Sequence, residues 1–305
     1  MMALSGRIAI VTGAGGGLGR EHARFLAAHG AAVVVNDVGA SLDGVSAGES
    51  AAARTVAEII AIGGQAVAST HDVSDWRAAA DLIRLAIDAF GALHVLVNNA
   101  GIIRDRTFVN TSEAAWDDVI RVNLKGHAAP THHALNYWRD CAKQGAPVKA
   151  SIVHTSSMSG IIGNFGQANY GAAKMGVVAL SRIVSLEGRK YGIRSNVIAP
   201  DARTRLSLAV PESLQPPALR GPGETSGFDY FDPANVSPVV GWLAMAECPA
   251  DSQIFYVAGN VVRVLGIPAV SARVETAGRW TMDALQKVLP PKLVTPLTLE
   301  DFVEY

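Results

Sequence analysis

At 305 residues, with 49% apolar and 17% charged side chains, the chain can bury a large core and fits one sizeable α/β domain. Lysine plus arginine (26) nearly cancel aspartate plus glutamate (27), and the net charge of −1 argues against a surface built for nucleic acid or an anionic membrane. Two cysteines are too few for a disulfide framework, no apolar run reaches the roughly 18 residues of a membrane span, and neither end reads as a targeting signal, so the expected setting is the reducing cytoplasm.

In chain order, short runs rich in Val, Ile and Ala alternate with helical stretches. Strands are expected at 7–12, 31–37, 66–70, 93–99, 150–156, 193–200 and 253–258. Helices are expected near 18–29, 48–63, 75–90, 112–144, 169–191 and 235–246. Continuous apolar strands between helices indicate a parallel sheet covered on both faces. Right-handed crossovers make this a single-domain, doubly wound (Rossmann) fold of about seven strands over residues 1–261, with ligands beyond the carboxyl ends of the strands. Two stretches break the rhythm: Asn36–Ser50, rich in Gly and Ser, and the proline-rich segment at about 201–235. A long irregular segment inside a compact domain is usually functional, and 201–235 reads as a lid. Residues 262–305 form a tail expected to pack on the domain or on a neighbouring subunit.

The first strand runs into TGAGGGLG, Thr12–Gly19, which opens a helix. Unpaired N–H groups and partial positive charge at a helix N-terminus suit a pyrophosphate, and glycines let the backbone approach it. Gly13, Gly17 and Gly19 fill those places, with Leu18 where the common GxGxxG spacing would put its last glycine. Asp37 ends the next strand. A carboxylate there accepts both ribose hydroxyls of NAD and repels the 2′-phosphate of NADP, and neither Gly16 nor Val38 supplies a cation to rescue that phosphate.

Tyr170 and Lys174 are four apart on an expected helix, hence one turn apart on one face. A free phenol, with a pKa of about 10, is a poor acid–base group at neutral pH; a neighbouring ammonium and a positive nicotinamide ring would lower that value. Ser157 ends the fifth strand, where a hydroxyl can bind a substrate oxygen as charge develops. Asn123 lies on the long helix before that strand, placed to hold a water that feeds protons to Lys174. Singly, each has a bland reading as a solvated helix face or a helix hydrogen bonder; jointly, after a glycine loop, they describe hydride and proton transfer.

The set TGxxxGxG, Asn98-Asn99-Ala100-Gly101, Asn123, Ser157 and Tyr170-x-x-x-Lys174 resembles the short-chain dehydrogenase/reductase family over about residues 5–260. The resemblance implies Tyr170 as general acid/base, Lys174 as its activator and ribose clamp, Ser157 as carbonyl orienter and Asn123 as proton-relay anchor. It implies Asp72 and Val73 at the adenine, Asn99 and Gly101 beside the cofactor, and a homotetramer or homodimer formed by the 112–144 and 169–191 helices. Within the family, the segments around the glycine loop and GNFGQANYGAAKMG resemble the dehydrogenase domain of multifunctional β-oxidation enzymes and bacterial hydroxysteroid and hydroxyacyl-CoA dehydrogenases. Pro200-Asp201 departs from the family's usual Pro-Gly, and Thr204 is the replacement contact expected beside it.

Other residues carry less. The spacings of His127, His132 and His133 do not make a zinc pair, so no metal is expected, and surface or subunit contact is the reading of all three. Arg104 and Arg106 face either substrate or a neighbouring subunit; Trp242 and Trp280 read as packing residues, and Cys141 carries no chemistry. The reaction expected is NAD-dependent interconversion of a secondary alcohol and a ketone on a largely apolar substrate, of the hydroxysteroid or 3-hydroxyacyl-CoA class. An NADPH-dependent 3-ketoacyl reductase and a non-catalytic NAD-binding regulator remain as alternatives.

Overall fold

A computed structural model describes residues 2–39, 50–204, 227–266 and 270–298. Most of the Asn36–Ser50 excursion and most of the 201–235 lid lie outside the described residues. The strands are β1 (Ile8–Thr12), β2 (Ala32–Asn36), β3 (Gln65–Ser69), β4 (Val95–Asn98), β5 (Ala150–Thr155), β6 (Ile193–Asp201), β7 (Ile254–Ala258) and β8 (Val261–Leu265). They form one sheet in the order β3-β2-β1-β4-β5-β6-β7-β8, parallel except for the last pair. The order reverses between β1 and β4, and a crevice opens there beyond the strands' carboxyl ends.

The helices are α1 (Gly17–Ala28), α2 (Ala51–Ala61), α3 (Trp76–Phe90), α4 (Glu113–Ile120), α5 (Gly126–Lys143), α6 (Met158–Ile161), α7 (Ala168–Gly188), α8 (Ser237–Ala244) and α9 (Met282–Val288). Successive strand residues face opposite sides, so β1 sends Ala9 and Val11 into a core with α1, α2 and α8. Ile8 and Ile10 enter a second core with α3, α5 and α7. Burial on both faces explains why these strands read as unbroken apolar runs.

β8 adds an eighth strand to the seven expected, and the boundary drawn at residue 261 falls inside its hairpin with β7. The signal was the Gly259-Asn260 pair between two apolar runs, with Gly259 at φ +52. β8 is an edge strand whose Val262 and Val264 stay exposed, so its pattern is weaker than that of the core strands. The single helix expected over 112–144 is two helices joined by a π-helical turn, Arg121–Lys125. Such turns insert an extra residue into the hydrogen-bond ladder and recur at functional sites. Here the turn carries Asn123.

Candidate active site

A cavity of about 880 Å³ occupies the crevice at the β1/β4 switch point. Gly13, Gly16, Gly17, Leu18, Asp37, Asp72, Val73, Asn99, Gly101, Ser157, Tyr170, Lys174, Pro200, Asp201 and Thr204 all line it. Gly19 and Asn123 do not, although they shape its wall.

The phosphate end is built from glycine and close contacts. Gly16 caps α1 with no side-chain hydrogen bond, leaving the first N–H groups of the helix free of a side-chain partner. A Cβ on Gly13, whose φ is +62, would stand 2.8 Å from the Ala100 Cα. On Gly19 it would stand 2.2 Å from the Gly13 carbonyl oxygen and 2.6 Å from Asn99 Nδ2. Gly19 therefore serves close packing of α1 on the loop. Thr204 reaches the loop from the far wall, 3.7 Å from where a Cβ would sit on Gly17. A dinucleotide fits this cradle: the glycines leave backbone N–H groups bare, and side chains there would fill the space.

Asn99 ties two strand ends together. Its Nδ2 donates to the carbonyls of Thr12 (3.1 Å) and Gly13 (3.2 Å), while its own N–H donates to Thr12 Oγ1 at 2.9 Å. The Asp37 carboxylate accepts the N–H groups of Gly15 (2.9 Å) and Gly39 (2.8 Å). Asp72 Oδ1 accepts from the N–H and hydroxyl of Ser74, and Asp72 Oδ2 lies 3.4 Å from Arg121. Val73 is buried beside it.

At the other end, Ser157 caps the short helix α6, its Oγ accepting the Ser159 N–H at 3.1 Å, and shares a hydrogen bond with Tyr170. Two glycines make that meeting possible. A Cβ on Gly160 would lie 2.7 Å from the Met175 nitrogen, and one on Gly171 2.8 Å from the Ser159 carbonyl oxygen, so α6 rests against the first turns of α7. Lys174 is 2% exposed; its Nζ donates to the Thr155 carbonyl at 2.7 Å and stands 5.6 Å from the Tyr170 ring centre. Asn123 is fully buried, with Oδ1 accepting the Ile102 N–H (2.9 Å) and Nδ2 donating to the Ile102 carbonyl (2.7 Å).

Burial shifts both members of this pair. Burial pushes the Tyr170 phenol up to about 12; the Ser157 hydrogen bond opposes the rise and the Asp105 carboxylate adds to it. Burial also brings the Lys174 ammonium down to about 7.

His127 also departs from its surface reading. It is fully buried, as is His154, and the two rings stack 5.6 Å apart behind the active site. His132 and His133 lie on the outer side of α5 against Trp76. Sequence reasoning missed Gly15, Gly160, Gly171 and His154. The glycines were visible around each motif; His154 had a signal only in being an ionisable residue near the end of a buried strand.

An oxidoreductase on a dinucleotide-binding sheet is the class of protein this fold and cavity define. The sequence model described as short chain dehydrogenase matches residues 7–206. The chain belongs to the short-chain dehydrogenase/reductase family, whose members are enzymes using NAD or NADP. It is 43% identical over 253 residues to mouse peroxisomal multifunctional enzyme type 2, covering 83% of this chain and 31% of that longer protein. It is 41% identical over 282 residues to the hydroxyacyl-CoA dehydrogenase ChsB1 of Mycobacterium tuberculosis, covering 90% of this chain and 84% of the relative. The structure of a short chain dehydrogenase from Mycobacterium avium superposes with a TM-score of 0.85 at 44% identity, over 97% of this chain and 98% of that one.

Proposed function

We propose that this enzyme is an NAD-dependent dehydrogenase interconverting a secondary alcohol and a ketone on a largely apolar substrate, of the 3-hydroxyacyl-CoA or hydroxysteroid class. The observation that carries the reading is the Ser157–Tyr170–Lys174 cluster at one end of a single cavity with Asp37 at the other. The hydroxyacyl-CoA class is supported by the likeness to the hydroxyacyl-CoA dehydrogenase ChsB1.

A nicotinamide dinucleotide bound along the cavity supplies the hydride acceptor or donor and, when oxidised, a positive ring. The chain's own residues do the rest. The α1 terminus and Gly13–Gly17 hold the pyrophosphate; Asp37 accepts ribose hydroxyls; Asp72 and Val73 flank the adenine. Asn36 and Val38, the chain neighbours of Asp37 that line the cavity with it, carry no positive charge, which favours NAD over NADP; the cavity's arginines among the described residues are Arg104 and Arg121, the latter paired with Asp72. Ser157 orients the substrate oxygen, and Tyr170, once deprotonated, takes the alcohol proton. Lys174 lies within one turn to hold the nicotinamide ribose and accept the next proton.

The reading extends to assembly as a homotetramer or homodimer in the cytoplasm. Met175, Ile183 and Leu186 leave an exposed apolar stripe along α7, which supports a subunit contact there. No helix among the described residues is long and apolar enough to cross a membrane.

The decisive experiment follows nicotinamide reduction at the purified protein, with NAD and NADP in parallel against 3-hydroxyacyl-CoA thioesters and hydroxysteroids. Turnover with NAD and one of these alcohols is expected. Preference for NADP would overturn the cofactor assignment, and no turnover with either cofactor across both substrate classes would overturn the substrate assignment.

A further inference from the structure

A buried polar layer lies between the sheet and α5, directly behind Lys174, and nothing in the proposed chemistry uses it. It consists of Asn98 on β4, His154 on β5, and His127 and Thr131 on α5, all at 1% exposure or less. His127 Nε2 stands 3.3 Å from the Ala100 carbonyl oxygen, and His127 Nδ1 stands 3.4 Å from His154 Nδ1. Asn98 Nδ2 lies 2.9 Å from Thr131 Oγ1 and 3.4 Å from His154 Nδ1. His154 Nε2 has no hydrogen-bond partner among the described residues.

We infer that His127 is a positioning residue of the active site: as its Nε2–H tautomer it clamps the Ala100 carbonyl, and His154 fixes that tautomer by donating Nδ1–H to His127 Nδ1.

The hydrogen-bond inventory leads there in steps. A carbonyl only accepts, so the nitrogen facing Ala100 must carry a proton. Burial drives both imidazoles well below their usual range, with Lys174 adding to the effect, and His154 falls to about 3. Both rings are therefore neutral at working pH, and His127 Nδ1 is a bare acceptor. The group facing it, His154 Nδ1, must then be the donor. That leaves His154 Nε2 as a lone pair, which has no partner among the described residues. The same assignment turns the Asn98 amide over: its oxygen, without a partner among the described residues as it stands, then accepts from Thr131 Oγ1 and His154 Nδ1, and its nitrogen takes the unpartnered place.

The clamp matters because Ala100 is held at both ends. Its N–H donates to Thr12 Oγ1 at 3.1 Å while its carbonyl meets His127. The next residue, Gly101, has space for no side chain: a Cβ would lie 2.7 Å from Asn123 Oδ1 and 3.6 Å from Lys174 Nζ. A turn free to rotate at Ala100 would move into the surroundings of the catalytic ammonium. The charged group facing both rings is Lys174 of α7; otherwise each imidazole faces only the other among the titratable groups described.

This inference rests on the proposed roles of Tyr170 and Lys174, but one of its tests does not need turnover. In protein with 15N-labelled histidine, between pH 6 and 8, two neutral imidazoles are expected, His127 protonated on Nε2 and His154 on Nδ1. The opposite pair of tautomers, or a charged ring, overturns the proposal even if the protein shows no dehydrogenase activity. With activity in hand, His127→Phe should lower kcat about tenfold and displace its pH profile, with KM changed less than about threefold. His127→Gln, which keeps a donor, should recover most of the loss. An unchanged pH profile in folded His127→Phe overturns the proposal, as does His127→Gln being as impaired as His127→Phe. Should His127→Phe not fold, the tautomer measurement and His127→Gln still decide.

Discussion

The Asp37 carboxylate is fastened to Gly15: it accepts the Gly15 N–H at 2.9 Å, and a Cβ on that glycine would stand 2.8 Å from the carboxyl carbon. The acid proposed to select the cofactor and the loop proposed to hold its phosphates are thus one unit. Asp37→Ala removes a charged acceptor and frees the loop. Hydrogen bonds to charged groups contribute about 1.5–3 kcal/mol, so kcat/KM with NAD should fall roughly 10- to 100-fold. The ratio of NADP to NAD turnover should rise, as steady-state kinetics with both cofactors would show. An unchanged ratio would remove Asp37 from cofactor choice.

Tyr170→Phe deletes the hydroxyl proposed to take the proton and leaves the ring that lines the cavity. Turnover should fall by about 10²–10⁴-fold, the usual worth of a positioned acid–base group. NADH affinity, read by fluorescence titration, should change little. Retained turnover would transfer the proton-moving role elsewhere.

The two shifted values in the pair have opposite consequences for stability. Lys174 sits at about 7 when folded against 10.5 ordinarily, so between those pH values the unfolded chain holds more protons and stability rises with pH. Tyr170 sits at about 12 against 10.0, so above pH 10 the folded state holds the extra proton and stability falls. The ligand-free protein should therefore gain Tm from pH 7 towards 10. Lys174→Met should flatten that rise, which thermal unfolding across a pH series would reveal.

Gly19→Ala tests the packing role of a glycine that does not line the cavity. Its Cβ would collide with the Gly13 carbonyl, and forced overpacking typically costs about 1–3 kcal/mol. A lowered Tm is expected together with weaker NADH binding. Full stability in the variant would mean that α1 can move off the loop at no cost.

Ile183→Glu with Leu186→Glu places two charges on the exposed stripe of α7. If that stripe is a subunit contact, the double variant should run as a smaller species by light scattering while keeping its far-ultraviolet circular dichroism. Identical mass before and after would place the contact on another surface.

The parallel sheet and the cavity's chemical residues were legible because the signals were local. Five-residue apolar strands, the glycine loop and the Tyr170–Lys174 spacing each sit within one element. What was hidden depended on contacts between elements. The polarity of His127 suggested a surface, yet the Ala100 carbonyl and His154 supply its partners, with Asn98 and Thr131 beside them in the same buried layer. The π turn had no sequence signature, since RVNLKG fits an ordinary helix. Gly160 and Gly171 mattered only once α6 was seen lying against α7.

The extra residue in the Arg121–Lys125 turn has a consequence for what this region can tolerate. Asn123 meets Ile102 and His127 meets Ala100, so one side chain within the turn and one just beyond it read the same short piece of backbone. Removing one residue between them would restore a regular helix and swing everything beyond it by about 100°. The gene can therefore change letters here more safely than it can lose a codon, although the protein locally would look better formed for the loss.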